Sequence, residues 1–494
     1  MKNIQSEAFD CLLCVSAPCN AACPKGLHPA RGVRAVRFGN EAIANQWLTD
    51  ACLDCDAPCE KACIHPERPI RIKKMAQLLN NASDQQTLDI NHQPLETVDL
   101  SIDFCGIHCE NPFFLASSAI ATNYEMIARA FEMGWGGVYF KTIGDMKIEE
   151  VSPRFDAVKD LNRSFTGFRN MEQLSEQSAE ENFAIIKKLK QNYPTKIIVA
   201  SIMGQTDESW EVLAKQAEAA GADMLELNFS CPQMKTKGLG SDIGQNPELV
   251  AFYTSFVKRV VSIPVIAKMT PNITSMVPVA MAATFAGADA ISAINTIKSV
   301  TMSEGSMVSG KRTVSGYSGN AVKPIALKHI LDMSKHPMLQ ITGKQLQLSG
   351  IGGIETWRDA LEFIQLGCQN VQVCTAVMQY GYRIIEDLTL GLQHYMLEHK
   401  VKHVSDLVGS ELSTFVAPSR LDRKTIVYPK FNRDKCVGCG RCYIACQDAG
   451  HQALEFDFQT RQPKLNGHKC VGCHLCRFVC QQDAIDSANR IQKK

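Results

Sequence analysis

From about Glu96 to Gly409, short apolar runs rich in branched and aromatic residues alternate with longer stretches of helical periodicity. The candidate strands are Phe113–Ser117, Gly137–Thr142, Ile197–Met203, Met224–Asn228, Val265–Met269, Ala290–Asn295, Gln347–Gly350 and Asn370–Cys374. Four of them follow the similar words MGWGG, AGADM, AGADA and LGCQN. In each word a Gly ends a helix in the left-handed conformation and the chain then enters a buried strand. Eight such units in about 300 residues predict an α/β fold of the (β/α)8 TIM-barrel type rather than an open doubly wound sheet. No G-x-G-x-x-G follows any of these strands, so no dinucleotide-binding Rossmann domain is expected.

Outside that alternation the pattern gives way to cysteine. Of 21 cysteines, eight fall between Cys11 and Cys63 and eight between Cys436 and Cys480. The start, MKNIQSEAFD, lacks the apolar core of a secretory signal, and a chain of 494 residues needs no disulfide staples, so these blocks point to metal in a cytoplasmic protein. The C-terminal block reads Cys436-x2-Cys439-x2-Cys442-x3-Cys446, then Cys470-x2-Cys473-x2-Cys476-x3-Cys480. This is the two-cluster ferredoxin spacing, in which the fourth thiolate of each run reaches the other cluster. One set is then Cys436, Cys439, Cys442 and Cys480; the other is Cys470, Cys473, Cys476 and Cys446. Gln447 and Gln481 stand where a Pro usually follows the fourth Cys. The competing reading is paired zinc knuckles, which usually place a longer gap between two C-x2-C pairs.

The N-terminal block is a looser repeat: Cys11-x2-Cys14-x4-Cys19-x3-Cys23 is answered by Cys52-x2-Cys55-x3-Cys59-x3-Cys63. Between the runs, Ala30 to Trp47 carries helical spacing in Val33, Val36, Ile43 and Trp47. Eight thiols so arranged suit two further 4Fe–4S clusters, with zinc as the alternative.

Charge adds only exclusions. Fifty-two Lys and Arg against 51 Asp and Glu give a net +1, no reason to expect nucleic acid or an anionic membrane as a partner. The uncharged stretch Met269 to Ala288 is broken by Pro271, Asn272, Thr274, Ser275 and Pro278, too polar to span a bilayer.

In a TIM barrel, chemistry sits at the C-terminal ends of the strands. Those ends carry Ser117 and Ser118, Lys141 and Thr142, then Asn228, Ser230 and Cys231. They continue with Lys268, Asn295 and Thr296, with Gly350, Gly352 and Gly353, and finally with Cys374 and Thr375. Two lysines inside apolar strand words are costly to bury alone. They either pair with a carboxylate or face a cofactor that is anionic when reduced. Glycines after the seventh strand and Thr after the eighth sit where barrels bind phosphate through backbone amides. Flavin mononucleotide (FMN) supplies both features, with Lys268 stabilising the reduced ring.

The words NPFFLASS, GWGGVYFKTIG, FRNMEQ, ELNFSCPQM, AKMTPNI, SGIGGIETW and QVCTAVMQYGYRI resemble, in order, the pyrimidine-reducing flavin domain of the dihydropyrimidine dehydrogenase family. The N-terminal block resembles that family's iron–sulfur domain and that of the glutamate synthase small subunit. The resemblance implies reduction of uracil or thymine, with Cys231 as general acid toward carbon 5; an ordinary thiol, pKa about 8.5, holds its proton at neutral pH. It implies pyrimidine-binding roles for Asn170, Asn228, Asn295 and Thr296, with Ser230 assisting, since amides suit a ring of alternating C=O and N–H groups. It also implies a homodimer in which the C-terminal clusters of one subunit serve the flavin of the other. In that family one N-terminal ligand can be a Gln, which leaves Cys52 and Gln77 as alternatives here.

The expected organisation is a mostly helical double-cluster domain at 1–95, an FMN barrel at 96–410, a linker at 411–431 and a ferredoxin-like domain at 432–494. Only 41 positions separate Cys63 from Phe104, too few for FAD and NAD(P) domains. A separate FAD-containing, NAD(P)H-oxidising subunit or a ferredoxin-like donor is therefore expected as electron source. Two other functions compete: dihydroorotate oxidation on the same kind of barrel, and a non-catalytic electron-transfer hub.

Overall fold

The computed structural model describes residues 2–83, 98–159, 165–232, 238–340 and 346–493. All eight expected strands form: β1 Phe113–Leu115, β2 Gly137–Gly144, β3 Ile197–Met203, β4 Met224–Asn228, β5 Val265–Lys268, β6 Ala290–Ala293, β7 Gln347–Ile351 and β8 Asn370–Val373. Each pairs in parallel with its neighbours in chain order, and β8 closes on β1. Helices buried on one stripe ring the outside, so the strands are covered on both faces and read as nearly unbroken apolar words. The four helix-ending glycines, Gly134, Gly221, Gly287 and Gly367, all take positive φ, between 88° and 106°.

One element had no sequence signal. A four-stranded antiparallel sheet forms from Ile297–Ser299, Ser315–Ser318, Phe165–Asn170 and Phe155–Lys159, in that order. Its strands come from the segments after β2 and after β6, so residues remote in sequence share one surface at the barrel's C-terminal rim.

The chain divides into two compact units, Met1–Leu412 and Ser413–Lys494. Within the first, the N-terminal block has its own small core of Ile4, Ala8, Val33, Val36, Leu48, Ile72, Met75 and neighbours. The helix expected between its cysteine runs is two helices, Pro29–Arg37 and Glu41–Ala44, because Gly39 turns the chain at φ 76°. That turn seats the block on the barrel. Trp357 Nε1 donates to the Gly39 carbonyl at 3.1 Å, Asn40 Nδ2 to the Asp387 carbonyl at 3.0 Å, and Arg34 Nε to Asp387 Oδ2 at 2.8 Å. The expected boundary at residues 95 and 96 lies outside the described residues.

In the second unit, Thr425–Phe431 pairs antiparallel with Ile485–Gln492, and Leu454–Asp457 pairs with Gln462–Leu465. Residues 425–431, read from sequence as the end of a linker, are thus a strand. Among the described residues no helix is long and apolar enough to cross a membrane.

Candidate active site

A cavity opens at the C-terminal end of the barrel. Its walls bring together Ser117, Ser118, Lys141, Thr142, Asn170, Asn228, Cys231, Lys268, Asn295, Thr296, Gly352, Gly353, Cys374 and Thr375. Two expected members stand elsewhere. Gly350 is turned to the helix layer, where an added Cβ would meet the Phe363 ring at 2.5 Å and Cys368 Sγ at 2.9 Å. Gly350 is not part of the wall, which Ile351 and Gly352 form at the end of this strand. Ser230 is fully buried one layer back. Its Oγ donates to Asn228 Oδ1 at 2.7 Å and accepts from Asn295 Nδ2 at 2.8 Å, so it fixes both amides.

Those bonds leave defined capacity for a ligand. Asn228 spends Oδ1 on Ser230 and one N–H on Thr142 Oγ1 at 2.9 Å, keeping one donor. Asn295 bonds Ser230 through Nδ2 and the Thr296 amide through Oδ1, keeping one donor and one lone pair. Thr142 also lies 3.2 Å from Ser117 Oγ and 2.9 Å from Ser201 Oγ, joining three strands at the cavity floor.

Both buried lysines have carboxylate partners that the sequence reading left unnamed. Lys141 Nζ is 2.7 Å from Glu172 and Lys268 Nζ is 3.3 Å from Glu226. Glu226 is fully buried and accepts from Ser292 Oγ at 2.9 Å; Gln372 Nε2 donates to Ser292 at 3.0 Å and to Ser349 at 2.8 Å. Pairing makes burial of the ammonium groups tolerable while both lysines still line the cavity. The signal for Glu226 was its own word, MLELN, a charge inside an apolar strand.

The lining fits FMN on two observations. Gln372, on the wall, leaves Oε1 buried without a partner, an acceptor suited to a ring N–H. Gly352 and Gly353 hold φ at 125° and 81°, and a Cβ on Gly353 would sit 2.8 Å from Lys323 Cβ and 3.0 Å from the Gly319 carbonyl. Only backbone fits there, as a phosphate cradle requires. Burial pushes the Cys374 thiol up, and its Sγ contacts Ser118 Oγ at 3.2 Å, consistent with a packing role.

The sixteen block cysteines gather in interleaved fours. One cavity is lined by Cys11, Cys14, Cys19 and Cys63, another by Cys23, Cys52, Cys55 and Cys59. Gln77 is exposed on helix Ile72–Ser83 and lines neither, whereas Cys52 lines the second. In the C-terminal unit Cys446, Cys470, Cys473 and Cys476 line one cavity, and Cys442 neighbours Cys436, Cys439 and Cys480. Among the described residues, no three His, Cys, Asp or Glu side chains gather as they would around a single ion. The thiols instead line the walls of cavities. Burial pushes Cys59 up to about 12 and Cys442 and Cys476 to about 11, so cluster binding would release protons.

Residues 99–396 match the dihydroorotate dehydrogenase family model, and residues 430–486 match the 4Fe–4S dicluster domain. The chain is 52% identical over 371 residues to the NAD-dependent dihydropyrimidine dehydrogenase subunit PreA of Escherichia coli K12, covering 74% of this chain and 89% of that protein. It is 36% identical over 341 residues to the chloroplastic dihydropyrimidine dehydrogenase (NADP+) of Arabidopsis thaliana, covering 66% and 80%. Against the catalytic subunit of dihydroorotate dehydrogenase B (NAD+) from Pyrococcus horikoshii, identity is 35% over 316 residues, covering 63% and 98%. Ligand-free dihydroorotate dehydrogenase from Eimeria tenella superposes with a TM-score of 0.54 at 20% identity, covering 64% of this chain and 94% of that one, a likeness of fold alone. On a barrel of the dihydroorotate dehydrogenase type joined to a 4Fe–4S domain, the chain belongs to the dihydropyrimidine dehydrogenase family of oxidoreductases acting on CH–CH bonds.

Proposed function

We propose that this protein interconverts uracil or thymine and the 5,6-dihydropyrimidine. The observation that carries the reading is the meeting of Cys231, Asn170, Asn228, Asn295 and Thr296 with two buried lysines at one cavity. FMN, held by the Gly352–Gly353 cradle and the Lys141, Lys268 and Gln372 side chains, would supply two-electron hydride chemistry at the C5=C6 bond. Cys231 Sγ gives a proton to carbon 5, or takes it in the reverse direction. The spare amide groups of Asn228 and Asn295 hold the ring's C=O and N–H edge, and Ser230 positions both. Lys141 and Lys268 set positive charge where the reaction places negative charge on the cofactor.

The thiol fours suit four 4Fe–4S clusters that relay electrons to the barrel. A separate FAD-containing, NAD(P)H-oxidising subunit, or a ferredoxin-like donor, supplies them, in keeping with the E. coli relative's name as a subunit. A homodimer in a cytoplasmic setting completes the reading. Dihydroorotate oxidation is the second reading, favoured by the 35% identity to a dihydroorotate dehydrogenase subunit.

Anaerobic reoxidation of the reduced flavin against uracil and orotate separates the two; turnover with orotate alone would overturn the first. Cys231→Ala is expected to retain FMN and lose about two to four orders of magnitude in turnover. Near-normal turnover in that variant would end the proton-donor assignment.

A further inference from the structure

The barrel interior carries polar side chains where such barrels are ordinarily filled by Val, Ile and Leu. Glu226, Ser292 and Gln372 come from the alternate strands β4, β6 and β8, and each is at most 1% exposed. Ser292 is the register partner of Lys268 on β5 and of Ser349 on β7. Packing alone does not call for this arrangement, because apolar residues of similar volume replace a buried ion pair at little or no loss of stability.

The hydrogen bonds in it run in one forced direction. Lys268 Nζ donates to Glu226 Oε1 at 3.3 Å, and Ser292 Oγ donates to Glu226 Oε2 at 2.9 Å. A hydroxyl has a single hydrogen, so Ser292 can only accept from its next neighbour. It accepts from Gln372 Nε2 at 3.0 Å. The second Nε2 hydrogen goes to Ser349 Oγ at 2.8 Å, which also accepts from the Tyr139 hydroxyl at 3.2 Å. Both donors of Gln372 are thus held inside the barrel. Its Oε1, buried without a partner among the described residues, belongs to the cavity wall.

The two ends of an amide have nearly the same size and shape, so packing does not choose between them. The chain of bonds chooses, and it starts at a charge. A carboxylate offers one oxygen to Lys268 and the other to Ser292. A glutamine in that place has one oxygen, which the ammonium claims, and its NH2 faces Ser292 as a donor. Ser292 then turns its hydrogen to Gln372, whose oxygen swings inward and whose NH2 swings toward the cavity.

We propose that Glu226, which lies outside the cavity wall, is a positioning residue that fixes through Ser292 which end of the Gln372 amide faces the ligand. The site so set takes a flat ring that presents an imide N–H, as oxidised flavin does, and disfavours a ring whose nitrogen is substituted. This rests on the FMN reading above and adds to it a role for Glu226 beyond balancing the charge of Lys268.

The full chain, with its iron content checked, is equilibrated by dialysis against graded FMN or graded 3-methyl-FMN, and bound flavin is counted after release. The analogue carries a methyl group in place of the imide hydrogen. The parent is expected to hold FMN about tenfold or more tightly than the analogue, the worth of a buried hydrogen bond. In Glu226→Gln the affinity for FMN should fall about tenfold or more, while that for the analogue stays within about threefold. Equal losses for both flavins would mark general damage to the cavity and overturn the inference, and so would no loss for either. Because that variant leaves a buried ammonium unpaired, Ser292→Ala gives a second reading with both charges in place. It is expected to weaken FMN about threefold or more and again to spare the analogue. An unchanged FMN affinity there would overturn the relay, and if Glu226→Gln does not fold this variant decides alone. A parent that holds both flavins alike would also overturn the inference. A parent that holds neither would instead sink the FMN reading beneath it.

Discussion

The two thiol blocks share an interleaved arrangement but differ in what surrounds it. In the C-terminal unit the buried core is Cys442, Cys446, Ala453, Leu454, Cys476 and Ile485, so half of it is thiol. In the N-terminal block the buried core of Ile4, Val33, Val36, Leu48, Ile70, Ile72, Met75 and neighbours contains no cysteine; Cys11, Cys19, Cys52, Cys59 and Cys63 pack on its flank. Each buried aliphatic side chain is worth roughly 1.5–3 kcal/mol. One block therefore owns a hydrophobic core that exists before metal, whereas the other needs metal to have a core at all.

Stripping iron from the whole chain is the largest disturbance of this contrast. Hydrogen exchange across Arg441–Ala449 should approach the unfolded rate, a loss on the order of 10 kcal/mol of metal-linked stability, while Pro29–Arg37 and Ile72–Ser83 stay protected. Equal loss in both blocks would erase the distinction. Single thiols sharpen it. Cys480→Ser and Cys63→Ser should each remove about four iron atoms. Only Cys480→Ser should also lower exchange protection around it, by about 5 kcal/mol; the same loss around Cys63 would mean that the N-terminal core cannot stand alone.

The N-terminal block is also tied down by charge. Arg34 Nη2 reaches Asp387 at 2.5 Å with both side chains nearly buried. Arg34→Ala strands that carboxylate and is expected to loosen the block from the barrel by about 3–5 kcal/mol, read as new proteolytic cleavage between residues 9 and 50. Undiminished resistance would move the anchorage to Trp357 and Phe38.

The smallest effect is a pH dependence of the iron-free chain. Burial pushes the Glu7 carboxyl up, but bonds from Arg71 and Arg68 outweigh it and hold it down to about 2, from the ordinary 4.5. A depressed acid stabilises fully above pH 4.5 and loses that contribution as pH falls toward 2. With both arginines half exposed, the contribution is about 1–3 kcal/mol. Glu7→Gln should flatten an acid titration of the N-terminal helices over that range; matching curves would remove Glu7 from the account.

Why the blocks differ was only partly legible. The C-terminal runs repeat one spacing, which by itself dictates the exchange of Cys446 and Cys480. The N-terminal runs differ from each other by a residue, so their pairing waited on the fold that brings Cys63 to Cys11 and Cys23 to Cys52. The barrel was plain in its eight apolar words, and strand ends located most of the cavity wall, because a closed parallel sheet forces those ends together. Gly350 packs toward Phe363 and Cys368, and the wall begins with the next residue, Ile351. Glu172 and Phe168 escaped notice because the rim sheet pairs segments about 150 residues apart through backbone bonds that leave no periodicity of their own.

That rim sheet makes the pocket sensitive to parity. Phe168 and Asn170 face the cavity from one edge-to-edge register, Gly316 opposite Asn170 and Ser318 opposite Phe168, while Arg169 between them is turned away and buried. A single-residue insertion or deletion inside Phe165–Asn170 would exchange the two faces and present a guanidinium where a neutral amide stood. Length changes of two would merely slide the same alternation along. The repertoire of molecules this mouth admits is thus guarded against odd-numbered changes in chain length and comparatively open to even ones.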